Sequence, residues 1–285
     1  MASETHENTE KAIAQHYTHG SLLPTILDAL KGTGIDVDHL SSDDLASIDE
    51  FHTGGRAATV DLAAQMNVVP GMRLLDVGSG IGGPARFFAH HYGCHVTGID
   101  LSAEFCETAE ALSARTSLDG RVDYRRASAT SLPLDNDTFD GAYMLHVGMN
   151  IPGKGSAFRE IARVLKPGGV FGIFDIMREA DGDLAFPLPW AATSDTSFVE
   201  TATSYTQLLR DAGFETEKQR SRRDFAIAFF TRMREVVAAA AASGGPPPIG
   251  PQLIMGPSAP VKVGNLMSMI QRGLLSPTEI VSRKS

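Results

Sequence analysis

At 285 residues, with 42% hydrophobic and 21% charged residues, the chain has the make-up of a soluble globular protein able to bury one large core. A net charge of −9 without a basic stripe argues against nucleic acid as a partner; the densest basic run, Lys218 to Arg223, reads as a solvated strand end. No apolar run approaches the ~20 residues that span a bilayer. The polar start, MASETHENTE, is no secretory signal, and Cys94 and Cys106 lack metal-ligand spacing and read as core residues, so a cytoplasmic location is expected.

In chain order, residues 1–10 are expected to lack order. Residues 11–31 read as two helical pieces broken at Gly20, with Leu22, Ile26 and Leu30 on one face. Asp43 and Asp44 open a short helix, and a further helix over about residues 55–66 leads into an apolar strand carrying Leu74, Leu75 and Val77. A glycine-dense turn, Gly78-Ser79-Gly80-Ile81-Gly82-Gly83, then feeds a helix over residues 82–92. Strands follow at 94–99, 121–126, 139–145 and 170–176. Between them lie a helix capped by Ser102 and running to about Leu118, and one over 154–165 that stops at Lys166-Pro167-Gly168-Gly169. Strands alternating with helices predict an α/β fold with a parallel, doubly wound sheet.

The glycine turn is the centre of this arrangement. Glycine is needed where the backbone turns tightly and a ligand lies against bare main chain. Gly78, Gly80 and Gly83 also fit the dinucleotide pattern, which leaves a nicotinamide-dependent oxidoreductase as an alternative. Asp76 weighs against it, because a carboxylate two residues before Gly78 repels a pyrophosphate but attracts an ammonium. S-adenosyl-L-methionine (SAM) carries an ammonium, a sulfonium and no phosphate. Asp100, twenty residues past Gly80 at the end of HVTGID, is suited to hold both ribose hydroxyls.

The segments LDVGSGIGGPARFFA, GIDLS, SLPLDNDTFDGAYM and FREIARVLKPGG resemble the successive motifs of class I SAM-dependent methyltransferases. The likeness is to small-molecule enzymes of the sarcosine/dimethylglycine, phosphoethanolamine and tocopherol/ubiquinone types, and covers about residues 50–215. It implies a Rossmann-like sheet of seven strands, the sixth at Phe214–Arg220 and an antiparallel seventh at Glu279–Arg283. It also implies an N-terminal helical lid over residues 1–54 and a SAM-binding core over 55–220; the residues between the last two strands, which form a hairpin in the simplest members, read here as a helical cap at 221–275 before a final core strand at 276–285. The cap would hold a helix from Asp224 to about Ala242, a loop at Gly244–Pro248, and a helix near 261–272. Its Phe229, Phe230, Ile254, Met255, Leu266, Met267 and Met269 suit either an adaptable acceptor wall or the interface of a homo-oligomer.

The resemblance places the cofactor on Asp76, Gly78, Ser79, Gly80, Gly82, Asp100, Leu101, Leu145, Ser128 and Ala129, with Thr53 from the lid. Ser128 stands where related enzymes use an Asp for the adenine, so that contact is weaker or comes from elsewhere. Beyond the fourth and fifth strands, His146 is the expected base, because imidazole titrates near neutrality, with Asn150 and Asp175 orienting the acceptor. Tyr17 matches the lid tyrosine of phosphoethanolamine methyltransferases. Their catalytic histidine falls at Asn150 and their substrate-binding aspartate at His146; neither is retained, which weighs against a phosphobase. Tyr17, His146, Met149, Trp190, Phe198 and Met255 are the expected acceptor contacts; Trp190 serves either a cation or its own loop's anchoring, and His52 is a second lid candidate. The resulting expectation is methyl transfer to a small molecule, N-methylation slightly ahead of C- or O-methylation of a prenylated or aromatic product. A SAM-binding partner subunit without catalysis is the further alternative.

Overall fold

The structure, a computed structural model, describes residues 2–18, 20–244 and 248–285. Strands β1 (Arg73–Val77), β2 (His95–Asp100), β3 (Val122–Arg126), β4 (Phe139–Leu145), β5 (Leu165–Arg178), β6 (Phe214–Ser221) and β7 (Leu275–Lys284) form one sheet in the order β3-β2-β1-β4-β5-β7-β6. The first five are parallel neighbours, and β7 runs antiparallel to β5 and β6. This is the seven-stranded, doubly wound sheet that the alternating pattern predicts. The strand order reverses between β1 and β4, which opens a crevice at their carboxyl ends.

Helices cover both faces. On one, α4 (Arg56–Gln65), α5 (Gly83–Tyr92) and α6 (Ala103–Arg115) bury Leu62, Phe88 and Cys106 with Tyr143 and Phe174. On the other, α7 (Lys154–Val164) and α8 (Ala202–Asp211) bury Phe158, Ile161 and Tyr205 against Phe171. Removing one such ring typically costs ~3–5 kcal/mol, so these faces hold the site's floor in place. Before the sheet come α1 (Ala2–His16), α2 (Leu22–Gly32) and α3 (Ser42–Asp49). Leu22, Ile26 and Leu30 of α2 are buried, as their spacing predicts. Between β6 and β7 lie α9 (Arg223–Ala242), α10 (Gln252–Met255) and α11 (Ala259–Gln271).

The structure departs from expectation in four places. Residues 2–16 are helical, not without order, and Ile13 of this helix is buried at 5% exposed. The Lys166–Gly169 segment does not separate helix from strand. Leu165 already pairs with Phe139, and five steps along β5 then answer two along β4, a bulge in which Gly168 takes a positive φ of 74°. Helix α8 was not foreseen, although Tyr205, Leu208, Leu209 and Ala212 keep a helical period after the Thr201 cap. Strand β7 begins at Leu275, not Glu279, because its serines and Thr278 are buried between two neighbours and carry no apolar signal. Met1 and the predicted loop's Gly245–Pro247 lie outside the described residues. The basic run is engaged within the protein: Arg222 bridges Asp61 and the buried Glu279, and Arg223 donates to the carbonyls of Ile270 and Gln271.

Candidate active site

The turn after β1 is held by the next strand. The Gly78 and Ser79 N–H groups both donate to the Ile99 carbonyl, at 2.8 and 2.9 Å, and the Gly80 N–H donates to Asp100 Oδ2 at 2.9 Å. Gly78 has φ of 74°, and a Cβ there would meet Val147 at 2.4 Å; at Gly80, with φ of 52°, it would meet the Phe51 ring. Bare backbone is therefore required at both positions. Beneath the turn Asp76 is 2% exposed, and burial raises its carboxyl well above the usual range. The Tyr143 hydroxyl interacts with this carboxyl, and the Ser79 Oγ beside it is buried without a hydrogen-bond partner. Such an atom costs free energy unless a ligand meets it. A buried carboxylate beside a glycine cradle fits the ammonium end of SAM.

Asp100 ends β2, where its Oδ1 also accepts from the Ser102 N–H, and burial raises its carboxyl. Lone pairs remain on both oxygens for ribose hydroxyls. The Ala127 N–H donates to the Asp100 carbonyl at 2.9 Å, which sets Ser128 and Ala129 beside this acid; Leu101 follows it, its carbonyl accepting from Arg126. Gly82 and Leu145 also take their places around the turn and at the end of β4.

Past β4, His146 has φ of 56°, uncommon for a residue with a Cβ, and its N–H donates to the Phe174 carbonyl. Its ring lies 4.9 Å from Phe174 and 5.9 Å from His52. The Thr53 N–H donates to Nδ1 at 3.4 Å. The neutral ring therefore carries its proton on Nε2, which is buried and unpartnered. Burial first, and His52 second, hold its pKa well below the ordinary value of 6.5. In this geometry the neutral ring turns Nδ1 to the Thr53 N–H and leaves Nε2 as its donor. His52, lowered to about 4 by burial, lies against the Thr59 hydroxyl and Glu50, so its place is in the packing beneath the lid.

Asp175 is 0% exposed. Oδ2 accepts from the Tyr205 hydroxyl at 2.6 Å and Oδ1 from the Ile176 N–H at 3.0 Å; burial raises its pKa to about 6. It is engaged within the protein and positions the Gly148 turn, where a Cβ would meet Oδ2 at 2.3 Å. Asn150 joins two distant segments. Its Oδ1 accepts from the Tyr17 hydroxyl at 3.0 Å, and its Nδ2 donates to the Trp190 carbonyl at 3.0 Å. Burial, with the charges of Asp100 and Asp175, raises the Tyr17 pKa, so the phenol stays protonated.

Trp190 is 2% exposed, its indole N–H donating to Ser197 Oγ, and it packs with Met149, Phe230, Leu266 and Met269. The indole N–H thus ties Trp190 to its own loop. The half-buried Phe198 is tied by its N–H to the Met149 carbonyl. Met255 ends α10, whose Ile254 joins Leu22, Ile26 and Ile48 of the lid, away from the Trp190 cluster. Two features escaped sequence reading. Arg86 of α5 makes a 2.7 Å ion pair with Asp49 of α3, both side chains 0% exposed, joining α3 to the helix that follows the glycine turn. Glu10 of α1 accepts from the Ser128 hydroxyl. Neither partner is near the other in sequence, so no local signal could have found them.

Residues 75–173 match the family model described as a methyltransferase domain. Sterol 24-C-methyltransferase erg6 of Schizosaccharomyces pombe is 33% identical over 126 residues, 44% of this chain; the chain thus spans about a third (33%) of that enzyme. Methyltransferase GfsG of Streptomyces halstedii is 32% identical over 175 residues, covering 60% of this chain and 63% of that one. Among solved structures, the [4+2]-cyclase SpnF is 27% identical, with a TM-score of 0.64 over 93% of each chain. Residues 75–173, which include the glycine turn and strands β2 to β4 of the sheet, therefore match a methyltransferase domain.

Proposed function

We propose that this chain transfers a methyl group from SAM to a small, uncharged and largely apolar acceptor, through C- or O-methylation. The observation that carries this reading is His146: a buried, neutral imidazole with an unpartnered Nε2–H at the crevice. Such a group offers a hydrogen bond to a carbonyl, phenol or enol oxygen and repels an ammonium. N-methylation of a cationic amine draws less support, because the one carboxylate expected on the acceptor side, Asp175, is fully engaged. Phe230, Leu266 and Met269 of the insert share one buried apolar cluster with Met149, which follows β4, and this supports the cap over the interface reading of the insert. The similarity to a sterol C-methyltransferase points the same way.

When bound, SAM supplies a methyl carbon on a sulfonium, open to in-line displacement. Asp76 would hold its ammonium against the Gly78–Gly80 backbone, and Asp100 its ribose. Tyr17, latched to Asn150, closes the lid and excludes water. His146 orients the acceptor oxygen, and alignment supplies most of the rate. The match to a [4+2]-cyclase along nearly the whole chain favours one second reading: a SAM-bound scaffold that closes a ring without methyl transfer. The test is a panel of phenols, enols, sterols, prenylated quinones and amines, followed by mass spectrometry and release of S-adenosylhomocysteine. Methylated neutral products support the proposal. Methylated amines alone overturn it, and cyclised products without S-adenosylhomocysteine favour the second reading.

A further inference from the structure

We propose that Tyr143 is a positioning residue of the cofactor site, its hydroxyl donating to the Asp76 carboxylate and holding it for the ammonium of SAM. The inference rests on the cofactor reading above and deepens it. Tyr143 of β4 pairs in register with Asp76 of β1, so the two side chains leave neighbouring parallel strands at one level and on one face of the sheet. Both are buried, the tyrosine at 0% and the aspartate at 2% exposed, and their polar ends interact. Phe88 stacks on the Tyr143 ring, with centroids 4.5 Å apart and an interplanar angle of 29°. Phe88 belongs to α5, which the glycine turn opens, so the ring that carries the hydroxyl is packed against the helix that continues the cradle.

Asp76 needs such a donor. Burial disfavours its ionised form most, and the charges of Asp100 on β2 and Glu50 at the end of α3 disfavour it further. A carboxyl so placed takes up a proton, and a neutral acid offers an ammonium no charge. The Tyr143 hydroxyl works the other way, since a hydrogen bond donated to a carboxylate favours the ionised form. The phenol keeps its own proton, because burial first and the Asp76 charge second raise its pKa well above the ordinary value. The nearby polar groups Glu50, Asp100 and Tyr124 are committed elsewhere. Glu50 accepts from Arg56 and the Thr59 hydroxyl, Asp100 accepts from the Gly80 and Ser102 N–H groups, and the Tyr124 hydroxyl meets Ser113 Oγ and the Gly82 carbonyl. One phenol proton occupies one lone pair of Asp76 and leaves the others for the ammonium.

The test measures, by titration calorimetry, binding of S-adenosylhomocysteine, which carries the ammonium, and of methylthioadenosine, which keeps the nucleoside and the thioether without it. Wild-type protein should prefer S-adenosylhomocysteine. Tyr143→Phe keeps the ring and its stack on Phe88; it should weaken that ligand on the order of tenfold and leave methylthioadenosine unchanged, so that the preference collapses. Asp76→Asn should lose the preference by itself, and adding Tyr143→Phe to it should change S-adenosylhomocysteine binding by less than about twofold, because the hydroxyl acts through the carboxylate. A Tyr143→Phe protein with the preference intact overturns the proposal, as does one that loses both ligands equally, the mark of packing alone. A full loss on top of Asp76→Asn also overturns it, because the hydroxyl then acts without the carboxylate. Wild-type protein that binds both ligands alike removes the ammonium from Asp76, and wild-type protein that binds neither overturns the cofactor reading; either result takes this inference with it.

Discussion

The role of His146 can be separated by one substitution series and a pH profile. A base with an ordinary pKa of 6.5 would be half protonated at pH 6.5, and activity would fall about tenfold per unit below it. His146 is instead held neutral by burial and by His52, with Nδ1 engaged by the Thr53 N–H. The expected kcat/KM is therefore flat on its acid side through pH 6. His146→Gln places an amide N–H near the position of Nε2 and should stay within a few-fold of wild type. His146→Ala removes one neutral hydrogen bond to the acceptor, about 0.5–1.5 kcal/mol, or roughly 2- to 13-fold. It also leaves the Thr53 N–H without its partner and keeps a Cβ at a φ of 56°. Stability should therefore be followed beside activity, with His146→Gly relieving the backbone cost. Steady-state kinetics from pH 5.5 to 8.5 distinguish donor from base. An acidic limb near pH 6.5 that vanishes in His146→Gln, with a kcat loss of about 10²-fold or more, would refute the donor reading and restore the base.

Three further outcomes are expected. Asp49→Ala strands the fully buried Arg86 guanidinium and should cost about 3–5 kcal/mol in urea unfolding, whereas Asp49→Leu with Arg86→Met should recover most of it; a loss under 1 kcal/mol in the single variant would show the pair to be dispensable. Asp100→Ala should weaken S-adenosylhomocysteine by about 1–3 kcal/mol in calorimetry, and wild-type affinity in that variant would remove Asp100 from the site. Because burial lowers His52 from 6.5 to about 4, the folded state binds fewer protons than the unfolded between those values. Its stability is complete above pH 6.5 and is lost as pH falls towards 4, while Glu50, raised to about 7 by burial and the Asp49 charge, acts in the opposite sense between about 4.5 and 7. His52→Gln should flatten the decline from pH 6.5 to 4.5 by on the order of 2–3 kcal/mol; parallel profiles in the two proteins would place the titrating group elsewhere.

The cofactor half of the site was legible because its chemistry is local. Asp76, the glycines and Asp100 sit at strand ends whose apolar runs announce them, and positive φ at Gly78 and Gly80 is a demand only glycine meets cheaply. The acceptor half was less so. His146 was singled out by residue type, but its tautomer depends on a backbone N–H 93 residues away. Asp175 looked available at a strand end, yet Tyr205 of an unforeseen helix takes it.

Periodicity and caps by themselves determined strands β1 to β5 and the helices α5, α6 and α7 between them, and hence the parallel part of the sheet and the crevice at its carboxyl edge. Those signals are written within a few residues of one another. What only the tertiary structure decided are the pairings between distant segments: Arg86 with Asp49, Tyr17 with Asn150, Ser128 with Glu10, and β7 between β5 and β6. Each joins polar groups whose burial is tolerable only because the partner arrives from elsewhere in the chain, and no local pattern encodes that arrival.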